Sequence, residues 1–269
     1  MTRILGALIL LVIFAVPAVF GPAWAFFIVV LIVLPLCMYE LYRVAISPSA
    51  RLLGWIPLVA SIPFLSFIYK GNLEAGYLTL CLAGIAVIIA ALFLFERNRA
   101  GARDIVYAVA GMIYPLALMS FWLLLRNGVD GRFWMIFGVV GVFGSDVGAY
   151  YVGKNFGTRH IAPKLSPKKT VEGFLGGICM SIVLGLAAFL IYPAIVPLTG
   201  FYPVGLLVLL SACIGVLDLA GDLTASLFKR DFQVKDMGNL IPGHGGMLDR
   251  MDGITFVGCL LYLVLKVAV

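Results

Sequence analysis

Long apolar runs, each followed by a short polar connection, make up most of this chain. Residues 4–20, 23–39, 52–69, 75–95, 105–125, 133–152, 171–192, 204–228 and 254–269 carry few charges. A helix rises about 1.5 Å per residue, so runs of this length reach, or nearly reach, across a hydrocarbon core of roughly 30 Å. In lipid each segment has to satisfy its own backbone N–H and C=O groups, which favours helices over strands. The pattern predicts an all-α, polytopic integral membrane protein with about nine transmembrane helices.

Only two polar stretches are long, about 153–170 and 229–253, and both lie in the C-terminal half. No internal repeat or low-complexity linker interrupts the pattern. The chain therefore reads as a single membrane domain, 1–269, with its chemistry concentrated in about 140–255.

Composition agrees. Hydrophobic residues make up 63% and charged residues 12%, against about 25% charged in a soluble domain. The net charge of +6 reads as a topology signal and not as a nucleic-acid footprint. With nine spans, the side of the N-terminus carries 15 Lys and Arg residues and the other side 4, which accounts for all 19. Such a bias marks the basic side as cytoplasmic. The expectation is N-terminus inside, both long polar loops facing the cytoplasm, and a multi-pass protein of the inner (plasma) membrane. Arg3, the first apolar run and Ala23-Trp24-Ala25 also resemble a signal peptide with its cleavage site; a single basic residue and an immediate second span favour a retained first helix. The five cysteines each sit inside an apolar run without metal-ligand spacing and read as small buried hydrophobes.

Three stretches carry candidate chemistry. Asp218, Asp222, Ser226 and Lys229 are spaced by four, four and three, along one stripe of the eighth run. Ionisable groups in a spanning helix are rare and point to function; ordinary salt bridges at a helix end are the plain alternative. The second stretch is IPGHGGMLDRMDG, residues 241–253. Here Asp249 and Asp252 open a helix, where acidic residues also act as ordinary caps. Carboxylates without companion His or Cys suit Mg²⁺ better than zinc. Gly243, Gly245 and Gly246 allow backbone N–H groups to approach an anion. The third stretch runs from Asp146 through Lys154, Arg159, Lys164, Lys168 and Lys169, with Ser166-Pro167 read as a turn. Such a run of cations suits a polyphosphate, and it equally suits a positive-inside anchor.

These stretches resemble the phosphatidate cytidylyltransferases, also called CDP-diacylglycerol synthases. The resemblance rests on Ser226, Lys229-Arg230, Lys235-Asp236, Gly238, Pro242, His244-Gly245-Gly246, Asp249-Arg250 and Asp252, with Asp146, Ala149, Tyr150, Ser166, Pro167, Lys169, Thr170, Glu172 and Gly173 upstream. It is specific over about 146–253 and only compositional over the first hundred residues. Ala225 stands where family members often have Glu, Gly253 where they often have Ser, and Asp218 matches no family position.

The resemblance implies transfer of the cytidylyl group of CTP to phosphatidate, giving CDP-diacylglycerol and pyrophosphate at the cytoplasmic face. It implies Mg²⁺ held by Asp222 and Asp249, and it leaves room for a second, monovalent cation such as K⁺. By the same likeness Lys229, Arg230, His244 and Asp252 belong near the reacting groups. Ser226, Lys235, Asp236, Gly245, Gly246, Arg250, Ser166, Lys168, Lys169 and Asp146 belong to substrate binding. The implied partners are CTP, phosphatidate, membrane lipids and a second copy of the chain in a homodimer, with no nucleic acid. A phosphomonoester has a second pKa of about 6, so the lipid is substantially a dianion near neutral pH, and His244 reads as a phosphate-binding group and not as an obligatory base.

Two other readings fit the residues. One is a CTP-dependent kinase or cytidylyltransferase acting on a polyprenol or archaeal ether lipid. The other is an anion transporter, although transporters place their ionisable residues near the midplane between repeated halves.

Overall fold

The apolar runs form helices in the computed structural model, which describes Phe14, residues 16–240 and residues 245–268. These are α1 (Ala23–Ala45), α2 (Leu52–Tyr69), α3 (Leu73–Phe95), α4 (Ala102–Asn127), α5 (Gly131–Phe156), α6 (Val171–Ile191), α7 (Val204–Asp231), the single turn α8 (Leu248–Met251) and α9 (Val257–Ala268). Between α5 and α6 a small antiparallel hairpin pairs β1 (His160–Ala162) with β2 (Ser166–Thr170). The all-α membrane class holds, with this hairpin as the one sheet among the described residues.

Among the described residues 7 helices are long and apolar enough to cross a membrane, α1 to α7, against the expectation of about nine. Two expected spans make the difference. The run 4–20 falls mostly outside the described residues. The run 254–269 begins in turns at residues 252–256, and its helix α9 has 12 residues; at 1.5 Å per residue that is about 18 Å, short of a hydrocarbon core.

The chain divides into two compact units. The first comprises Met1–Leu124 with Phe232–Arg250, the second Leu125–Asp231 with Met251–Val269.

In the first unit α1 packs on α2 and α4, and α2 packs along α3. Met38, Leu41, Leu53, Phe64, Leu65 and Leu116 are fully buried there. The Tyr42 hydroxyl donates to the Ala108 carbonyl at 2.8 Å, tying α1 to α4. Asp104 accepts from the N–H groups of Ser47 (2.8 Å) and Gly101 (2.9 Å), which closes the start of α4. Pro115 has no N–H to give the helix, and the backbone around it widens into a π turn over Met112–Ala117. α3 is little buried within the fold: Leu78, Leu82, Ile85, Ile89, Leu92 and Phe93 are all exposed, as suits a helix that faces lipid. α1 runs to Ala45, six residues past the expected end at 39, and so takes Glu40 inside the helix.

In the second unit α5, α6 and α7 pack on one another, and α9 packs on α5 and α7. Small residues set the α5–α6 spacing, the usual device for helices in lipid. Gly148 faces the Gly176 carbonyl, and Gly177 faces the Ser145 carbonyl, with no room for a Cβ at either. At one end Phe133, Trp134 and Phe137 are buried with Tyr192 and Tyr202 in an aromatic cluster. Asp130 stands beside it in the left-handed conformation (φ 48°). Its carboxylate accepts from the Thr199 and Gly200 N–H groups and from the Thr199 and Tyr202 hydroxyls at 2.8–3.1 Å.

Candidate active site

The residues singled out from the sequence divide between the two units. In the second, Lys154, Lys168 and Lys169 line a cavity of about 460 Å³ together with Asp146, Asp218 and Ser166. That size is ordinary for a small-molecule site. α5 supplies Asp146 and Lys154, β2 supplies Ser166, Lys168 and Lys169, and α7 supplies Asp218.

The hairpin is what brings the lysines there. Ser166 and Pro167 begin β2, and the turn falls at residues 163–165, which corrects the expected turn at Ser166-Pro167. The register shifts between the His160–Thr170 and Ala162–Ser166 pairs; a proline without an N–H is tolerated beside such an irregularity. At its base the hairpin is stapled twice. The Thr170 hydroxyl caps α6 by accepting from the Gly173 N–H at 3.2 Å. The Glu172 carboxylate accepts from the Thr158 N–H (3.0 Å), the Thr158 hydroxyl (2.8 Å) and the Arg159 N–H (3.2 Å). At its tip, Arg230 Nε donates to the Leu165 carbonyl at 3.2 Å. Arg230 thus fixes the loop that carries the lysines.

Lys169 is ion-paired with Asp222 on α7. Burial alone would lower its pKa; the negative charges of Asp222, Asp146 and Asp218 outweigh that and raise it, so the ammonium stays charged. Asp218 is buried and hydrogen-bonded to Ser145. Asp252 follows α8 in a turn and lies against α7, because Gly221 leaves room for its carbonyl. Burial pushes its carboxyl up to about 7, helped by the charge of Asp222 and opposed by the Gly253 N–H and Lys229. The expected stripe is therefore real: Asp218, Asp222, Ser226 and Lys229 all belong to α7. Ser226 is half-buried, one turn beyond Asp222.

In the first unit Gly245 adopts φ 81° and makes room for Asp236 and Asp249. Asp249 is buried, and its Oδ2 accepts from the N–H groups of Met237 (2.8 Å) and Gly246 (3.0 Å). The Gly246 N–H is thus bonded within the loop, and what the glycine supplies here is space. Lys235 and Arg250 are exposed. His244 lies outside the described residues.

One acidic residue was missed in the sequence. Glu40 on α1 is buried, and its carboxylate accepts from the N–H groups of Met247 and Leu248, both at 2.9 Å. A lone carboxylate within an apolar run was the signal; ending that run at residue 39 hid it. Ser145 also lines the cavity without having been singled out in the sequence, whereas Lys154 had been, as one of the cations suited to a polyphosphate.

Among the described residues no three His, Cys, Asp or Glu side chains stand together in a way that holds a metal ion unaided. Mg²⁺ typically takes one or two carboxylates and completes its shell with water and substrate phosphates. Of the two carboxylates that the resemblance implies for Mg²⁺, Asp222 lies on α7 in the second unit, paired with Lys169, and Asp249 lies in the first unit.

These features define an integral membrane protein with a cationic, carboxylate-bearing cavity suited to phosphates. The family model described as "Cytidylyltransferase family" matches residues 1–268. A phosphatidate cytidylyltransferase of Bacillus subtilis is 34% identical over 232 residues, covering 85% of this chain and 84% of its own. One from Brucella suis is 32% identical over 225 residues, covering 83% and 77%. One from Synechocystis is 36% identical over 198 residues, covering 63% and 64%. The chain belongs to the cytidylyltransferase family.

Proposed function

We propose that the protein transfers the cytidylyl group of CTP to phosphatidate, forming CDP-diacylglycerol and pyrophosphate for phospholipid synthesis. The observation that carries this is the cavity walled by Lys154, Lys168 and Lys169 beside Asp146 and Asp218, in a family member whose relatives are named phosphatidate cytidylyltransferases. Both reactants are anions, and one keeps its acyl chains in lipid.

In this reaction a phosphatidate oxygen forms a bond to the α-phosphorus of CTP, and the bond from that phosphorus to the oxygen bridging to the β-phosphate breaks. Pyrophosphate leaves with the bonding electrons. Such transfers depend on positioning and charge neutralisation. Lys169, held charged by its carboxylate neighbours, and Lys168 would bind phosphate oxygens, and Arg230 would keep their hairpin in place. Lys229, Ser226 and Asp252 belong to the same unit and are proposed to complete the wall. In the first unit Lys235, Asp236, Gly245 and Arg250 are proposed to serve substrate binding, as is His244. Asp222 and Asp249 are the proposed Mg²⁺ ligands; the bound ion would neutralise phosphate charge.

We further place the protein in the inner membrane with both polar loops in the cytoplasm, supported by the 14 to 3 bias of basic residues between Arg43 and Arg250, and with its N-terminus inside, which takes the first apolar run as a span. A homodimer, contacts with membrane lipids and a second cation such as K⁺ follow from the family likeness. The test is incubation of purified protein with CTP and phosphatidate, with and without Mg²⁺. Pyrophosphate and CDP-diacylglycerol are expected only with Mg²⁺; CDP as the nucleotide product would mean a kinase.

A further inference from the structure

Four backbone N–H groups of one loop in the first unit are taken by just two buried carboxylates. Asp249 holds those of Met237 and Gly246. Glu40 holds those of Met247 and Leu248, 207 and 208 residues away in sequence. Each Glu40 oxygen takes one N–H at 2.9 Å. An ionised carboxylate accepts on both oxygens and donates on neither, and bonds of this charge-assisted kind are the strong ones. The fit is close on the other side too. A Cβ at Gly238 or at Gly246 would overlap the Glu40 carboxylate. Both glycines are therefore required by Glu40, and neither has a positive φ.

The consequence lies in what this loop carries. Asp236, Gly245 and Asp249 sit together in it, and Asp249 follows directly on the two residues that Glu40 grips. A carboxylate buried in a spanning helix is costly unless it has work to do, and α1 does not need it for its own hydrogen bonds. Without Glu40 the N–H groups of Met247 and Leu248 would be buried and unanswered, and α8 would have no fixed start.

We infer that Glu40 is a positioning residue for the reaction: it fixes residues 246–248 so that Asp249 and its neighbours are held in one geometry, while touching no substrate itself. This rests on the proposed cytidylyl transfer for its kinetic part and on geometry alone for its structural part. Two variants act from opposite sides of the contact. Glu40→Gln replaces one acceptor oxygen by an amide NH₂, which cannot accept from the second N–H. Gly238→Ala leaves the charge intact and displaces the carboxylate sterically.

Hydrogen–deuterium exchange of the detergent-solubilised full chain reads the loop without any turnover. Both variants should speed exchange at Met247 and Leu248 by roughly ten- to a hundredfold, with α2 and α3 unchanged. In the CTP and phosphatidate assay both should lower kcat by roughly tenfold or more, with the KM for CTP within about threefold, as expected from displaced and not deleted groups. Wild-type exchange in the loop of both variants would overturn the proposal. So would accelerated exchange throughout the first unit in both, since Glu40 would then be a folding residue. Local loosening with unchanged kcat would overturn it as well. If the wild-type protein makes no CDP-diacylglycerol, the proposed reaction fails, while the exchange result still decides whether Glu40 holds the loop.

Discussion

Lys169 on β2 is ion-paired with Asp222 on α7, and that pair joins the hairpin to the helix that carries Asp218. Asp146, Asp218 and Asp222 all act on this one ammonium. Lys169→Met should therefore lower kcat/KM for CTP by at least about a hundredfold, the usual loss for a preorganised group that meets developing charge. Lys169→Arg keeps the charge but presents a planar fork in place of a point charge, and should recover only part of the activity. Pyrophosphate release measures both. Lys169→Met within threefold of wild type would remove Lys169 from the site.

Asp222→Asn and Asp249→Asn are each expected to abolish Mg²⁺-dependent pyrophosphate release while the protein still elutes as a folded species in detergent. The two should differ in one respect. Asp249 accepts from Met237 and Gly246, so its replacement should also speed hydrogen exchange at those two residues. Asp222 has no such role there. Activity in either variant at more than a few per cent of wild type would refute the metal assignment for that residue.

Much of this was legible in the sequence because, for a helix in lipid, the length of the apolar run is the main signal. α2, α3 and α7 fall within a few residues of the apolar runs that predicted them. The stripe Asp218, Asp222, Ser226, Lys229 needed only the helical repeat. Three features were not legible, each because it depends on a distant partner. Glu40 looks like the polar end of a run until its bonds to Met247 and Leu248 are seen. The Lys168 and Lys169 hairpin depends on Glu172 and Arg230 gripping its two ends. Gly246 reads as an anion-binding glycine from composition, whereas its N–H goes to Asp249 and its missing side chain makes room for Glu40.

The α5–α6 contact gives a stability prediction with an internal control. A Cβ at Gly148 would collide with the Gly176 carbonyl, a backbone atom that cannot swing away. Gly148→Ala should destabilise the protein by about 1–3 kcal/mol, the range for overpacking, seen as a lower Tm in detergent. Gly84 and Gly205 have nothing within 4 Å of the corresponding position. Alanine there should leave Tm unchanged or raise it slightly, since alanine is the better helix former by about 1 kcal/mol. Equal effects at all three positions would show that helix propensity, and not the close α5–α6 approach, governs the loss.

Asp130 supplies the pH dependence. Burial by itself would raise its pKa, but hydrogen bonds from the Gly200 and Thr199 N–H groups and from the Tyr202 and Thr199 hydroxyls outweigh it, and the net shift is downward. A carboxyl with a depressed folded pKa contributes stability above its unfolded value of about 3.9, and that contribution is lost as pH falls through the folded value. The Tm gap between wild type and Asp130→Asn should thus stay constant from pH 7 to 5 and shrink only below about pH 4. The asparagine variant still accepts one or two of these bonds, so its own Tm should vary less with acid. A gap that already closes between pH 7 and 5 would mean that burial wins and the pKa is raised. The four bonds that join Asp130 to residues 199–202 would then count for less than the desolvation they offset.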